Sequence, residues 1–193
     1  MADATIGTYH LADNPDLYEL QRSNNFEFVV PNLGSLLRAG YSETDTNALI
    51  NNAEEVLRIS VVESSVPTFT QDVITIRRGN SVMKAAGVPS FNEGSLVIND
   101  YIGADGKSAL MAWQNLSYNV KTEKVGKMSA YKRDCYLIEY APDYTPVRTW
   151  TLKGCWMSGL QMPNFSAECG DKRQVTATIQ YDAAFMEVES TEE

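Results

Sequence analysis

The sequence predicts a mainly β protein: an antiparallel β-sandwich or barrel with one packed α-helix and an N-terminal helix. Short β-branched and aromatic runs recur along the chain between clusters of Gly, Pro, Asn and Asp, and about seven of them read as strands. The clearest lies at residues 172–182. There Val175, Ala177, Ile179 and Tyr181 alternate with Gln174, Thr176, Thr178, Gln180 and Asp182, the pattern of one buried and one polar face. Only residues 107–116 give strong helical periodicity, with Ala109, Leu110, Trp113 and Leu116 on one side. Strands this dominant, at hairpin-like spacing, fit a sandwich or barrel.

Taken in order, Asn14 is a good N-cap, Pro15 suits the first helical position and Asp16 favours a helix N-terminus, which predicts a short helix there. Residues 26–30 read as a strand stopped by Pro31. Residues 32–45, rich in Gly, Ser, Asn and Asp, read as a long irregular connection, and 45–55 as a short helix. Residues 56–62 read as a strand with Leu57, Ile59 and Val61 on one face. Beyond Pro67, residues 70–78 form a strand, Gly79-Asn80 a turn and residues 81–84 the returning strand, which is a hairpin signal. Its faces are only partly apolar, so it is expected to project from the body, where it is a pairing hazard unless a partner covers it.

Residues 95–99 give another strand, and Gly103 to Gly106 turn into the helix. Residues 131–140 and 147–153 follow as strands around a turn at Pro142-Asp143, with Trp150 and Leu152 sharing a face. The expected core is Trp113, Trp150, Leu152, Val175, Ile179 and Tyr181. No internal repeat appears. A chain of 193 residues fits one domain, here expected as a body with an N-terminal arm over 1–22 and an acidic tail over 188–193.

Charge narrows the function classes. Lys plus Arg number 16 against 25 Asp plus Glu, a net charge of −9. Affinity for nucleic acid rests on neutralising phosphates, so a dedicated DNA- or RNA-binding role is not expected, nor docking on an anionic membrane. Glu187, Glu189, Glu192 and Glu193 read as a solvated acidic tail. Cys135, Cys155 and Cys169 are an odd set without CxxC spacing, which argues against a disulfide framework. The first residues lack a basic stretch followed by an apolar one, and no apolar run is long enough to span a bilayer. A soluble protein of a reducing cytoplasm, without membrane anchor, is expected.

Motifs for chemistry are scarce. His10 is the only histidine, so a Ser-His-Asp or Cys-His arrangement would have to use it, and a zinc site lacks donors. Gly106-Lys107-Ser108 imitates the end of a phosphate-binding loop, but the earlier glycine which that pattern needs is Tyr101. A calcium-loop register through Asp105-Gly106 would begin at Tyr101 and end at Ala112, both wrong ligands. Asp72, Asp134 and Asp143 stand apart in sequence, and Trp150 and Trp156 read as core or interface aromatics. No catalytic, cofactor-binding or metal-ligating residue is assigned, and no enzyme or cofactor is expected.

The order of elements resembles the tail tube proteins of contractile-tailed bacteriophages, whose relatives include the tubes of phage-like bacteriocins and of type VI secretion. Four stretches carry the resemblance: Asn25-Phe26-Glu27-Phe28-Val29-Val30; Ser64-Ser65-Val66-Pro67 with the strand that follows; Ser95-Leu96-Val97-Ile98-Asn99-Asp100 with the helix holding Ala112-Trp113-Gln114; and Tyr131-Lys132, Tyr140-Ala141, Trp150-Thr151-Leu152-Lys153-Gly154, Trp156 and the strand to Asp182. It spans roughly residues 24–187, while residues 1–22 and 32–55 look longer than the compact family pattern.

The resemblance implies hexameric rings stacked into a tube, each subunit adding strands to a continuous barrel around a lumen. The hairpin residues Asp72, Ile74, Ile76, Arg77, Arg78, Asn80 and Met83 would then reach the neighbouring ring. Implied partners are further copies of the chain, a tail sheath protein, baseplate and tail-terminator proteins, and a tape measure protein and DNA passing the lumen without specific binding. The implied location is the virion tail, assembled in the host cytoplasm. An acidic subunit fits a lumen that repels phosphate, and Thr176, Thr178 and Gln180 face either lumen or exterior. A secreted delivery tube of the bacteriocin or type VI kind stays open, as does, from another class, a small-molecule-binding barrel or enzyme.

Overall fold

One long strand organises the computed structural model, which describes residues 19–40, 52–103, 106–167 and 170–188. Eleven strands and four helices lie among the described residues. In chain order they are β1 (Phe26–Val29), α1 (Leu33–Gly40), α2 (Ala53–Ser60), β2 (Val61–Ser64), β3 (Phe69–Arg78), β4 (Ser81–Phe91), β5 (Gly94–Asn99) and α3 (Gly106–Ser117). They continue with β6 (Tyr118–Asn119), β7 (Lys124–Val125), α4 (Met128–Tyr131), β8 (Arg133–Tyr140), β9 (Pro146–Gln161), β10 (Gln174–Gln180) and β11 (Ala183–Val188).

Seven strands join in one antiparallel sheet, in the order β1–β8–β9–β10–β5–β2 with β11 also on β9. The 16-residue β9 serves both halves of it. Its first part pairs with β8 on one edge, Leu137 opposite Trp150, and with β11 on the other, Ala184 opposite Leu152. Its last part, residues 156–161, pairs with β10. The hinge between the parts is Gly154, whose φ of +64° is one that side-chain-bearing residues resist. A Cβ there would run into the Asp182 carboxylate. The sequence reading ended this strand at Lys153; glycine turns the strand here without ending it.

Ionic and backbone contacts fix the bend. Asp134 accepts from the Gly154 amide at 3.1 Å and from Lys153 Nζ at 2.6 Å. Lys132 Nζ donates to both carboxylate oxygens of Asp182 at 2.8 Å, and the Asp182 amide donates to the Lys153 carbonyl at 2.9 Å. Burial raises the pKa of the Cys135 thiol well above its ordinary value; it and Cys155 are free cysteines in the core beside this bend.

The two half-sheets and the helices share one hydrophobic core. Leu96 and Ile98 of β5, Val175, Ala177 and Ile179 of β10 and Met157 of β9 face it from one side, and Phe28, Leu137 and Leu152 from the other. Trp113 on α3 sits at its centre, 1% exposed, with its indole N–H donating to the Tyr131 carbonyl at 2.8 Å. Tyr181 is buried and Trp150 is half-buried against the core, its indole N–H donating to Glu139 Oε1 at 2.8 Å.

Two sequence expectations fail among the helices. Residues 33–40, read as irregular, form α1: Leu33, Leu36 and Leu37 recur at helical spacing and are fully buried. The expected strand at 56–62 is mostly α2, which buries Ala53, Leu57 and Ser60 and leaves Ile59 65% exposed. Only from Val61 does the chain extend, so packing overrides the β-branched preference. The expected helix at 45–55 lies mostly outside the described residues, as do His10, Cys169 and most of the expected helix near Asn14, whose Glu19 and Leu20 are irregular. The last strand, β11, takes in Glu187, which the sequence pattern groups with the tail.

The bend yields a direct test. Gly154→Ala is expected to cost about 1–3 kcal/mol from backbone strain and the displaced carboxylate. Gly159→Ala, whose new methyl would meet Thr178 at ordinary contact distance, should change stability by about 0.5 kcal/mol or less. Urea unfolding of the two variants checks both.

Candidate assembly surfaces

Unpaired strand edges are the first feature that calls for a partner. In the half-sheet built from β2, β5, β10 and the end of β9, both outer edges are free among the described residues. β2 pairs only with β5, and β8 stops pairing at Cys155, leaving residues 156–161 with β10 alone. The sheet therefore does not close. β1 and β2, at the ends of the strand path, lie beside a groove of ≈ 560 Å³ lined by Arg22, Phe26, Val62, Glu63, Val66 and Glu139.

The hairpin is the second feature. β3 and β4 form a sheet of their own, and every residue of β3 is exposed. Gly79 supplies the positive φ of +60° that a tight two-residue hairpin turn needs. A bulge at Asp72 faces Gly87, where a Cβ would sit only 2.8 Å from the Asp72 carbonyl oxygen. Register puts Ile74 beside Ala85 and Ile76 beside Met83, so these four make one apolar face. Arg77 shares the other face with Val82, Thr75 and Lys84, while Arg78 lies opposite Ser81 next to the turn that holds Asn80. The hairpin carries Arg77, Arg78 and Lys84 against Asp72, net +2, which leaves −11 on the rest of the chain.

Its base is clamped. Phe69 and Phe91 pack with ring centroids 5.7 Å apart and planes tilted by 45°, Phe91 meets Tyr181 edge-on at 6.1 Å, and the Asn92 side chain donates to Thr68 Oγ1 at 3.0 Å. Ser95 N–H donates to Ser65 Oγ at 2.8 Å, extending the β2–β5 pairing to the point where the hairpin leaves the body. Tyr181, read in the sequence as core only, thus also anchors the projection. A two-stranded ribbon exposed on both faces is marginal alone in water.

The third feature is the outward face of the same half-sheet. Val97 and Asn99 of β5 and Gln174, Thr176, Thr178 and Gln180 of β10 alternate with the buried residues, and Glu63 stands opposite Val97 on β2. The Gln174 side chain donates to Asn99 Oδ1 at 3.2 Å and the Gln180 side chain to Glu93 at 3.0 Å. The other half-sheet is held differently: Glu27 takes a hydrogen bond from Arg58 Nε at 2.6 Å and from the Tyr140 hydroxyl at 2.9 Å, tying α2 to β1 and β8. That hydrogen bond raises the Arg58 pKa, while burial leads in raising that of Tyr140.

No group of three or more potential metal ligands occurs among the described residues, and Asp72, Asp134 and Asp143 lie in the hairpin bulge, the β9 bend and the β8–β9 turn. Gly106 begins α3 packed against Ser60 and Ile98, and Lys107 pairs with Asp100 at 3.6 Å. No helix of the described residues is long and apolar enough to cross a membrane. The edge at 156–161 and the position of Glu63 were not legible beforehand, because both depend on which strands pair.

Comparison with known proteins follows the same architecture. The family model described as T4-like virus tail tube protein gp19 matches residues 41–184. A chain of an extracellular contractile injection system, the PVC sheath–tube complex in its extended state, superposes at a TM-score of 0.63 with 17% identity, over 89% of this chain and 94% of that one. A chain of the PVC sheath/tube terminator gives 0.61 with 18% identity over 89% and 98%, and one of the anti-feeding prophage cap gives 0.61 with 15% over 88% and 91%. Identities this low establish the fold alone. No curated protein sequence matches the chain.

One ion pair of the bend makes a pH prediction. The hydrogen bond from Lys153, followed by that from the Gly154 amide, holds the Asp134 carboxyl below its ordinary range. A depressed folded value means that its stabilisation is complete above the unfolded carboxylate range and is lost as pH falls through the folded value. Both side chains are nearly half exposed, at 47% and 44%, so screening limits the effect to about 1 kcal/mol or less. Asp134→Asn should lower stability by that amount near neutral pH, with the difference fading in acid, as read by urea unfolding across pH.

Proposed function

Because the chain belongs to the T4-like virus tail tube protein family, we propose that it is a structural subunit of a phage tail tube, forming stacked hexameric rings whose lumen conducts DNA during ejection. The family match over residues 41–184 carries this reading. The free edges support it physically: β2 of one subunit meets residues 156–161 of the next, and backbone pairing makes a continuous barrel. The outward face of β2, β5, β10 and the end of β9 then lines the lumen, with the helices on its far side.

The hairpin residues Asp72, Ile74, Ile76, Arg77, Arg78, Asn80 and Met83 contact the neighbouring ring. A partner there covers the apolar face and places the hairpin's net positive charge against an otherwise acidic subunit. The whole chain acts as one tube-subunit domain. Its partners are copies of itself, a tail sheath, and the baseplate and terminator proteins at the tube ends, in a virion tail assembled in the host cytoplasm. A tape measure protein and DNA occupy the lumen in turn, without specific binding and without any enzymatic step.

Negative-stain electron microscopy tests the reading: concentrated protein should form rings and tubes with an open centre, and a strict monomer would sink it. Capsid and terminase genes beside this one support a phage, whereas an ATPase gene for sheath recycling supports a secreted delivery tube. Ile76→Asp puts a carboxylate into the hairpin's apolar face. It is expected to leave rings intact and to shorten or abolish tubes, a separation visible in the same images.

A further inference from the structure

Two thiols meet on the core side of the β9 bend. Register sets Arg133 of β8 opposite Cys155 of β9 and, past a bulge, Cys135 opposite Leu152. Cys135 and Cys155 are therefore diagonal neighbours on adjacent strands, one on either side of the corner held by Asp134 and Gly154. Both are free and fully buried, so they share the face that looks into the core. Diagonal pairs on one face lie near the limit of what a disulfide spans, about 7 Å between Cα atoms. Here the bend brings the two side chains together, and the thiols share a hydrogen bond.

The way in lies at the end of the β8–β9 ladder. Arg133 and Cys155 make its last pair, and beyond them β9 continues with β10. The start of β8 is preceded by α4, none of whose residues is buried. The ties of this segment include the Tyr131 ring against Trp156 at 5.6 Å, the Tyr131 carbonyl under the Trp113 indole N–H, and Arg133 donating to the Ser129 carbonyl at 3.3 Å. A segment that buries so little opens at a lower free energy than the core behind it. Closed, the pair resists attack, because burial, followed by the bond with Cys155, raises the pKa of the Cys135 thiol well above its ordinary value. Opening the first residues of β8 uncovers both sulfurs while the rest of the sheet holds.

We propose that Cys135 and Cys155 form a site of oxidative modification: a small-molecule disulfide converts them to an intrachain cystine that fastens β8 across the corner of β9. The steps balance by thiol–disulfide exchange. One cysteine gives its proton to solvent, and its thiolate attacks a sulfur of the small disulfide, breaking that S–S bond and releasing one small thiolate. The second cysteine, deprotonated in turn, attacks the protein sulfur of the mixed disulfide and expels the other. Two protein thiols are oxidised, one small disulfide is reduced to two thiols, and the two protons end on those. The core forms with both thiols reduced, so the bridge adds to a finished fold instead of being required by it. Closing the β8–β9 loop in the unfolded chain raises stability. Nothing in this chemistry requires a second copy of the chain.

The experiment treats the full chain with oxidised glutathione near the ordinary thiol pKa, at urea concentrations that leave the circular dichroism unchanged. The protein is then denatured, alkylated with iodoacetamide and weighed by mass spectrometry. Cys135 and Cys155 should escape alkylation, and proteolytic mapping should give one peptide pair joining them. The thermal midpoint should rise by about 5 °C or more, and dithiothreitol should return it to its starting value. Cys169→Ser removes the third thiol of the sequence and should cross-link and stabilise as wild type does. Cys155→Ala should gain neither bridge nor shift. If that core variant does not fold, the mapped bridge in wild type and in Cys169→Ser still decides. Recovery of Cys135 and Cys155 as alkylated peptides overturns the proposal, as does a bridge to Cys169 in their place. A bridge that appears only through the global unfolding transition, or one that leaves the midpoint where it was, overturns it as well.

Discussion

The fold depends on a strand that must serve two half-sheets without breaking. β9 keeps its hydrogen-bond ladder through residue 161 only because Gly154 can adopt a left-handed conformation at the bend. The carboxylates of Asp134 and Asp182 then occupy the space and the hydrogen-bonding capacity that the bend creates. Both take their charge partners from lysines beside the same corner, Lys153 and Lys132. The surrounding order follows from this. With β9 turned, β10 and β11 can lie one after the other along its edge, and the buried faces of both halves point at Trp113.

The legible parts of the sequence were those where a local period decides the structure. Residues 174–180, the helix around Trp113 and the hairpin flanking Gly79-Asn80 all needed only their own pattern. The failures came where distant contacts decide. In α1 the leucines at 33, 36 and 37 carry the helical signal, but Gly34, Ser35 and Gly40 dilute it until the core behind them is known. In α2 the alternation of Leu57, Ile59 and Val61 imitates a strand, and the burial of Ala53, Leu57 and Ser60 reveals the helix. At Gly154 a residue that often stops a strand continues one, because Asp182 lies beside it.

The same distinction runs through the candidate surfaces. An exposed hairpin announces itself by mixed faces and a tight turn, so its residues could be named in advance. A free edge cannot be named that way, since it is defined by the strands that are missing beside it. The outward face of β5 and β10 lies between these cases. Its alternation was visible at 174–180, but its extent became a property only when β5, β10 and β9 were placed side by side.

The shared strand also has a mechanical meaning. A load that pulls the two half-sheets apart along β9 is carried by continuous covalent backbone, and the flanking ladders to β8, β10 and β11 resist it in shear, many hydrogen bonds at once. Peeling, which breaks such bonds singly, would have to start at an outer strand, β1, β2 or β11. A neighbouring chain seated on β2 would cover one of those starting points, so association would stiffen the subunit at one of its weakest places.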